Sequence, residues 1–183
     1  MKTHPFESHF QSFAETADPA RAAPRVAALR AELKARGLAG FIVPRADEHQ
    51  NEYVPPGAER LAWLTGFTGS AGAAIVLADK AAVFVDGRYT IQAREQIDAK
   101  LFGICDLVSD PPSRWLAREA PRGAVIGYDP WLHTSAAVEA LRKGAEEAGA
   151  TLAPVDGNAI DAIWQDRPPA PSAPVVLHPE KLA

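Results

Sequence analysis

Residues 63–94, WLTGFTGSAGAAIVLADKAAVFVDGRYTIQAR, constrain the fold more than any other part of the chain. Gly66, Gly69 and Gly72 lead into an apolar run, where the missing Cβ atoms allow turns and close backbone approach. Residues 73–77 and 81–85 are short β-prone runs separated by Ala78, Asp79 and Lys80, which is hairpin spacing with polar residues at the tip. The second run closes in Asp86-Gly87-Arg88, a turn that puts an arginine at the strand's end as a helical pattern begins at Tyr89. Because a strand follows the glycines, no helix N-terminus is offered to an anion, and no Gly-Lys-Ser/Thr completes a phosphate loop. Ser70 is not a nucleophile elbow either, since Thr68 stands two residues before it and a strand follows. The glycines are read as structural, which leaves Arg88 as the functional candidate of this stretch.

The remaining chain supplies partners for that hairpin. Residues 1–19 show no sustained period and are read as a loosely ordered lead-in, with a short helix around residues 6–13. From Pro24 onward Val26, Leu29 and Leu33 recur at helical spacing and Gly37 follows as a C-cap, which predicts an amphipathic helix. Residues 38–43 read as a buried strand ended by Pro44. The segment RADEHQNEYVPPGAER is a long polar loop, and a loop of that length inside a compact domain is uncommon unless it is functional. Asp47, His49 and Glu52 lack a second histidine and any known ligand spacing, so hydrogen bonding within the loop is favoured over a metal site. Residues 58–64 form a helical turn. After Arg88 a helix is expected to carry Ile91 and Ile97 toward the core, followed by a strand over residues 101–108. Pro111-Pro112 opens a helix anchored by Trp115 and Leu116, residues 125–128 form a strand, and Thr134 caps a helix that Gly149 stops. Residues 151–155 form the last strand. Strands alternating with helices, apart from one hairpin, predict an α/β fold: a mixed sheet of five or six strands with flanking helices.

Composition narrows the function classes. A chain of 183 residues buries about 70% of its unfolded surface and needs no staple. A net charge of -4 gives no global reason to bind nucleic acid or an anionic membrane, and no apolar run approaches a membrane span. A nuclease is disfavoured on the same ground. The amino end, MKTHPFESHF, is too polar for a secretory signal, so a cytoplasmic location is expected. The single Cys105, in LFGICDLV, reads as a buried inert thiol. Residues 165–174, QDRPPAPSAP, have the composition of a stiff linker, and residues 175–183 read as the start of a following domain. The domain proper is placed at residues 20–164.

Five blocks, DEHQNEY, ERLAWLTGFTGSAG, FVDGRYTIQAREQ, IGYDPWLHT and NAIDAIWQDRPP, occur in order between residues 24 and 169. Together they resemble the amino-terminal domain of three-domain Xaa-Pro aminopeptidases, of the creatinase/prolidase superfamily. The resemblance implies an α/β domain followed by a related domain and a catalytic domain with two divalent metals, usually manganese, none of whose ligands lie in this sequence. It implies removal of the residue preceding proline from peptides, no peptidase activity or metal in this chain alone, and a homodimeric parent. Arg88 resembles the arginine that reaches into the substrate cleft, and a salt bridge to Asp86 or Glu95 is its alternative. Asp47, His49 and Tyr53 line the same region, with an intradomain hydrogen-bond network as the alternative. Trp131 and His133 read as packing at the start of a helix, and Trp164 and Arg167 as docking of the linker. An exposed apolar patch is expected where further domains would pack. A freestanding peptide- or histone-binding module of the same fold is the rival reading.

Overall fold

The computed structural model describes residues 17–177 and 179–182; the expected lead-in over residues 1–16, with its short helix, lies outside them. Helix α1 (Ala22–Ala35) is followed by strand β1 (Gly40–Pro44), helix α2 (Arg60–Thr65), and the hairpin of β2 (Gly72–Leu77) and β3 (Ala81–Val85). Then come α3 (Thr90–Gln96), β4 (Gly103–Asp106), α4 (Pro112–Glu119), β5 (Val125–Tyr128), α5 (Ser135–Glu147), β6 (Thr151–Pro154) and α6 (Ala159–Ile163). The six strands form one mixed sheet in the order β4-β3-β2-β1-β5-β6, as the sequence predicts.

Alternation along the strands builds two cores. Phe41 and Val43, Ala74 and Val76, and Val83 and Val85 face one side, packing with Leu29 and Leu33 of α1, Leu61 and Leu64 of α2, and Ile160 of α6. Ile42, Ile75, Leu77 and Phe84 face the other, against Trp115 and Leu116 of α4 and Leu141 of α5. Cross-strand register pairs Gly72 with Val85 and Val76 with Ala81, and the hairpin closes with Leu77 N–H donating to the Lys80 carbonyl at 2.8 Å. α2 stops at Gly66, whose φ of +85° suits glycine and whose Cβ position lies 2.8 Å from the Gln96 carbonyl oxygen.

Pair directions fix the geometry of the sheet. β1 is parallel to β5, β5 to β6 and β3 to β4, while β2 is antiparallel to both β1 and β3. Every strand except β2 therefore ends at the same edge, and β2 begins there.

Three expectations are corrected. Ile91 is 74% exposed, because α3 turns Ala93 and Gln96 inward and Ile91 lies on its opposite face. The strand expected over residues 101–108 shortens to β4, since the Asp106 carboxylate accepts from Val108 N–H at 3.0 Å and Ser109 N–H at 2.8 Å and turns the chain. Trp131 does not pack at the start of α5; it is 74% exposed, and the neighbouring Leu132 takes the buried position. Trp164 and Arg167 pack onto the domain. Arg167 Nε donates to the Gly57 carbonyl at 2.6 Å, a Cβ on Gly57 would lie 2.3 Å from the Pro168 oxygen, and Trp164 stacks on Trp63 with ring centroids 5.2 Å apart.

Candidate functional site

The candidate residues collect at the shared strand edge. β3 ends in a 3-10 turn, Gly87–Tyr89, capped by Asp86. Asp86 Oδ1 accepts from Arg88 N–H at 3.0 Å and from Arg88 Nε at 2.8 Å, so one carboxylate fixes both the turn and the side chain that leaves it. This is the ion pair named as Arg88's alternative role. The Arg88 backbone N–H first, and then its guanidinium, hold Asp86 below the usual carboxylate range, and Asp86 in turn raises Arg88. The Arg88 side chain is nevertheless 66% exposed, and its two Nη groups have no hydrogen-bond partner among the described residues. Its guanidinium carbon lies 5.2 Å from the Tyr89 ring centroid. Tyr89 is in turn held by a 2.5 Å hydrogen bond to Ser70 Oγ and by edge contact with Phe67. The arginine is thus oriented by Asp86 and Tyr89 with its outer donors open to solvent.

Asp47 lies in the loop after β1 and is 1% exposed. Its Oδ1 accepts from His49 N–H at 3.1 Å and Asn51 N–H at 2.9 Å, and its Oδ2 from Asn51 Nδ2 at 2.9 Å. Burial pushes its carboxyl up, but these bonds to the charged form prevail and its pKa falls. Asp47 therefore organises the loop from within. His49 is exposed beside Glu48, at 3.8 Å, and Tyr53 is almost fully exposed. The loop leaves the end of β1 at the same sheet edge at which the Arg88 turn leaves β3. Asp47, His49, Tyr53 and Arg88 share one edge, but only His49, Tyr53 and Arg88 present side chains outward.

The large apolar side chains exposed between residues 17 and 164 are Tyr53, Ile91, Val108 and Trp131. They lie in the segments that follow β1, β3, β4 and β5, four strands that end at this edge. Sequence reasoning did not foresee the Gln96 carboxamide, which accepts from Thr68 N–H at 3.0 Å and braces the glycine loop from α3. It also did not foresee the buried pair of Asn158 Nδ2 and Asp129 Oδ2 at 2.8 Å. Local sequence carries no signal for either contact. Among the described residues no group of three or more His, Cys, Asp or Glu side chains could hold a metal ion, and no helix is long and apolar enough to cross a membrane. Burial, then Asp110, push the Cys105 thiol up to about 11, so it stays protonated.

Residues 25–163 match the model of the Creatinase/Prolidase N-terminal domain, and the chain belongs to that family. It is 39% identical over 168 residues to the probable Xaa-Pro aminopeptidase P of Ajellomyces dermatitidis, covering 90% of this chain and 27% of that protein. The X-prolyl aminopeptidase of Caenorhabditis elegans, a cytosolic enzyme with a di-nuclear active site, superposes with a TM-score of 0.73 at 31% identity, over 81% of this chain and 26% of that one. The N-terminal domain of a putative metallopeptidase from Corynebacterium diphtheriae superposes with a TM-score of 0.58 at 27% identity, over 75% of this chain and 98% of that one. The chain spans about a quarter of the length of the curated relatives it matches.

Proposed function

We propose that this chain is the non-catalytic amino-terminal domain of a metal-dependent Xaa-Pro aminopeptidase. In this reading the sheet edge that carries Arg88 forms one wall of the peptide cleft, and the Tyr53, Ile91, Val108 and Trp131 face packs against other domains or a second subunit. The parent enzyme removes the residue preceding proline. It acts as a cytosolic homodimer and draws its chemistry from two divalent ions, manganese by family resemblance, held by a separate domain.

The observation that carries the reading is the arginine turn. Asp86 and Tyr89 orient a guanidinium whose Nη donors stay open, at the edge where five of the six strands end. A guanidinium so held can give paired hydrogen bonds to a peptide carbonyl or carboxylate, at lower ordering cost than a free side chain. His49 and Tyr53 are available to flank the peptide, and Asp47 keeps their loop in shape.

The test is an assay of the full-length protein that contains this domain, on peptides with proline or alanine at the second position. Release of the first residue from the proline peptide alone, abolished by a chelator, is the expected result. Equal cleavage of both peptides contradicts the proline specificity, and cleavage of neither contradicts the reading and favours a binding module. The purified 183-residue chain is expected to be inactive on either peptide, and robust cleavage by it would show that the catalytic groups lie within this domain.

A further inference from the structure

Arg45 opens the loop that carries His49 and Tyr53, immediately after β1. Its backbone is still tied to the sheet, where Arg45 N–H donates to the Gly72 carbonyl at 3.0 Å. The side chain does not leave for solvent, being only 11% exposed. It turns back along the loop, so that Nη1 donates to the Glu52 carbonyl at 2.8 Å and Nη2 lies 3.5 Å from Glu59 Oε1. Burial raises the Glu59 carboxyl, and the Arg45 charge opposes that shift and favours the ionised form. Glu59 directly precedes Arg60, whose two-pronged contact with Asp161 ties the start of α2 to α6. Arg45 therefore joins one carbonyl of the loop to a fixed part of the domain.

The Glu52 carbonyl belongs to the planar peptide group that also contains the Tyr53 nitrogen. A bond to that carbonyl restricts the two backbone dihedrals on either side, ψ of Glu52 and φ of Tyr53. Asp47 holds the loop one step earlier, at the His49 and Asn51 N–H groups. Tyr53 itself is 87% exposed, so packing does little to place its ring. Its position follows from its backbone, and the backbone is held by Arg45.

We propose that Arg45 is a positioning residue for peptide binding: through the peptide group between Glu52 and Tyr53 it fixes Tyr53 at the sheet edge before a peptide arrives. A residue ordered in advance spares the bound state the entropy of ordering it, which raises affinity. The kinetic consequence rests on the reading of this edge as a wall of the peptide cleft; the ordering of Tyr53 does not.

NMR 15N relaxation of the 183-residue chain tests the ordering. The Tyr53 amide is expected to match that of Asn51, with an order parameter of about 0.85, and in Arg45→Met to fall below about 0.6 while Asn51 stays rigid. A Tyr53 amide that is mobile in the unaltered chain, or that stays rigid in Arg45→Met, overturns the proposal. If Arg45→Met fails to fold, the comparison of Tyr53 with Asn51 in the unaltered chain still decides. Steady-state kinetics of the full-length protein on a proline-containing peptide test the consequence. Arg45→Met is expected to raise KM about five- to thirtyfold, the scale of ordering one backbone residue, with kcat unchanged, and Arg45→Lys, which keeps a charged donor, to recover part of the loss. In a Tyr53→Ala background Arg45→Met adds nothing further, because its effect passes through Tyr53. An unchanged KM, or full additivity of the two substitutions, overturns the positioning role. An unaltered full-length protein that cleaves no proline peptide removes the peptidase reading instead, and the relaxation measurements then decide on Arg45 alone.

Discussion

Asp47 illustrates how a polar residue can act through the loop it lies in. Both carboxylate oxygens are occupied by His49 and Asn51 donors, so the side chain sets the path of the chain that carries His49 and Tyr53. Asp47→Ala is expected to cost about 2 kcal/mol in urea unfolding, and Asp47→Asn, which keeps an acceptor oxygen, clearly less. The pH dependence has a fixed sign. The folded-state pKa is lowered, so this stabilisation is present above the ordinary aspartate value and is lost as pH falls through the folded value. Unfolding midpoints of the natural chain and Asp47→Ala should converge in that acid window. A gap that persists at low pH would mean that Asp47 acts through packing and not through its charge.

At the scale of elements, α2 and α6 are joined by one carboxylate. Arg60 is 5% exposed and makes a two-pronged contact with Asp161, at 2.7 and 2.9 Å, while Arg167 of the connector donates to the same group at 2.7 Å. Asp161→Ala leaves Arg60 buried without its counter-ion and is expected to cost about 3–5 kcal/mol in chemical denaturation. Arg167→Ala keeps the buried pair and should cost far less. This clamp joins residues 60 and 161 across most of the domain, and local sequence gives no hint of it. The hairpin, β5 and α5 are legible because period and turn residues agree over each segment: Thr134 caps α5 through Ala137 N–H at 3.2 Å. α3 is misread at Ile91 because seven residues are too few for hydrophobicity to fix a face, and polar Gln96 takes the inner position to brace Thr68. Trp131 is misread for a related reason. Size and apolarity suggest burial, yet Leu132 beside it takes the buried position and leaves Trp131 outside. The Asp86–Arg88 pair was legible, because its residues are two apart in a turn.

For the molecule as a whole, the decisive property is strand direction. One antiparallel strand, β2, sits among five that share a direction, so loops far apart in sequence emerge together. That edge carries the Arg88 turn after β3 and the Asp47 loop after β1. The central claim is that this edge meets the peptide through Arg88, and it is tested by steady-state kinetics of Arg88→Ala in the full-length protein on short and long proline-containing peptides. Loss of a charge-assisted contact should lower kcat/KM about 10- to 100-fold with no change in the unfolding midpoint, and Arg88→Lys should recover only part of it. Unchanged kinetics for every peptide length would contradict the account and leave Arg88 as a surface ion pair with Asp86.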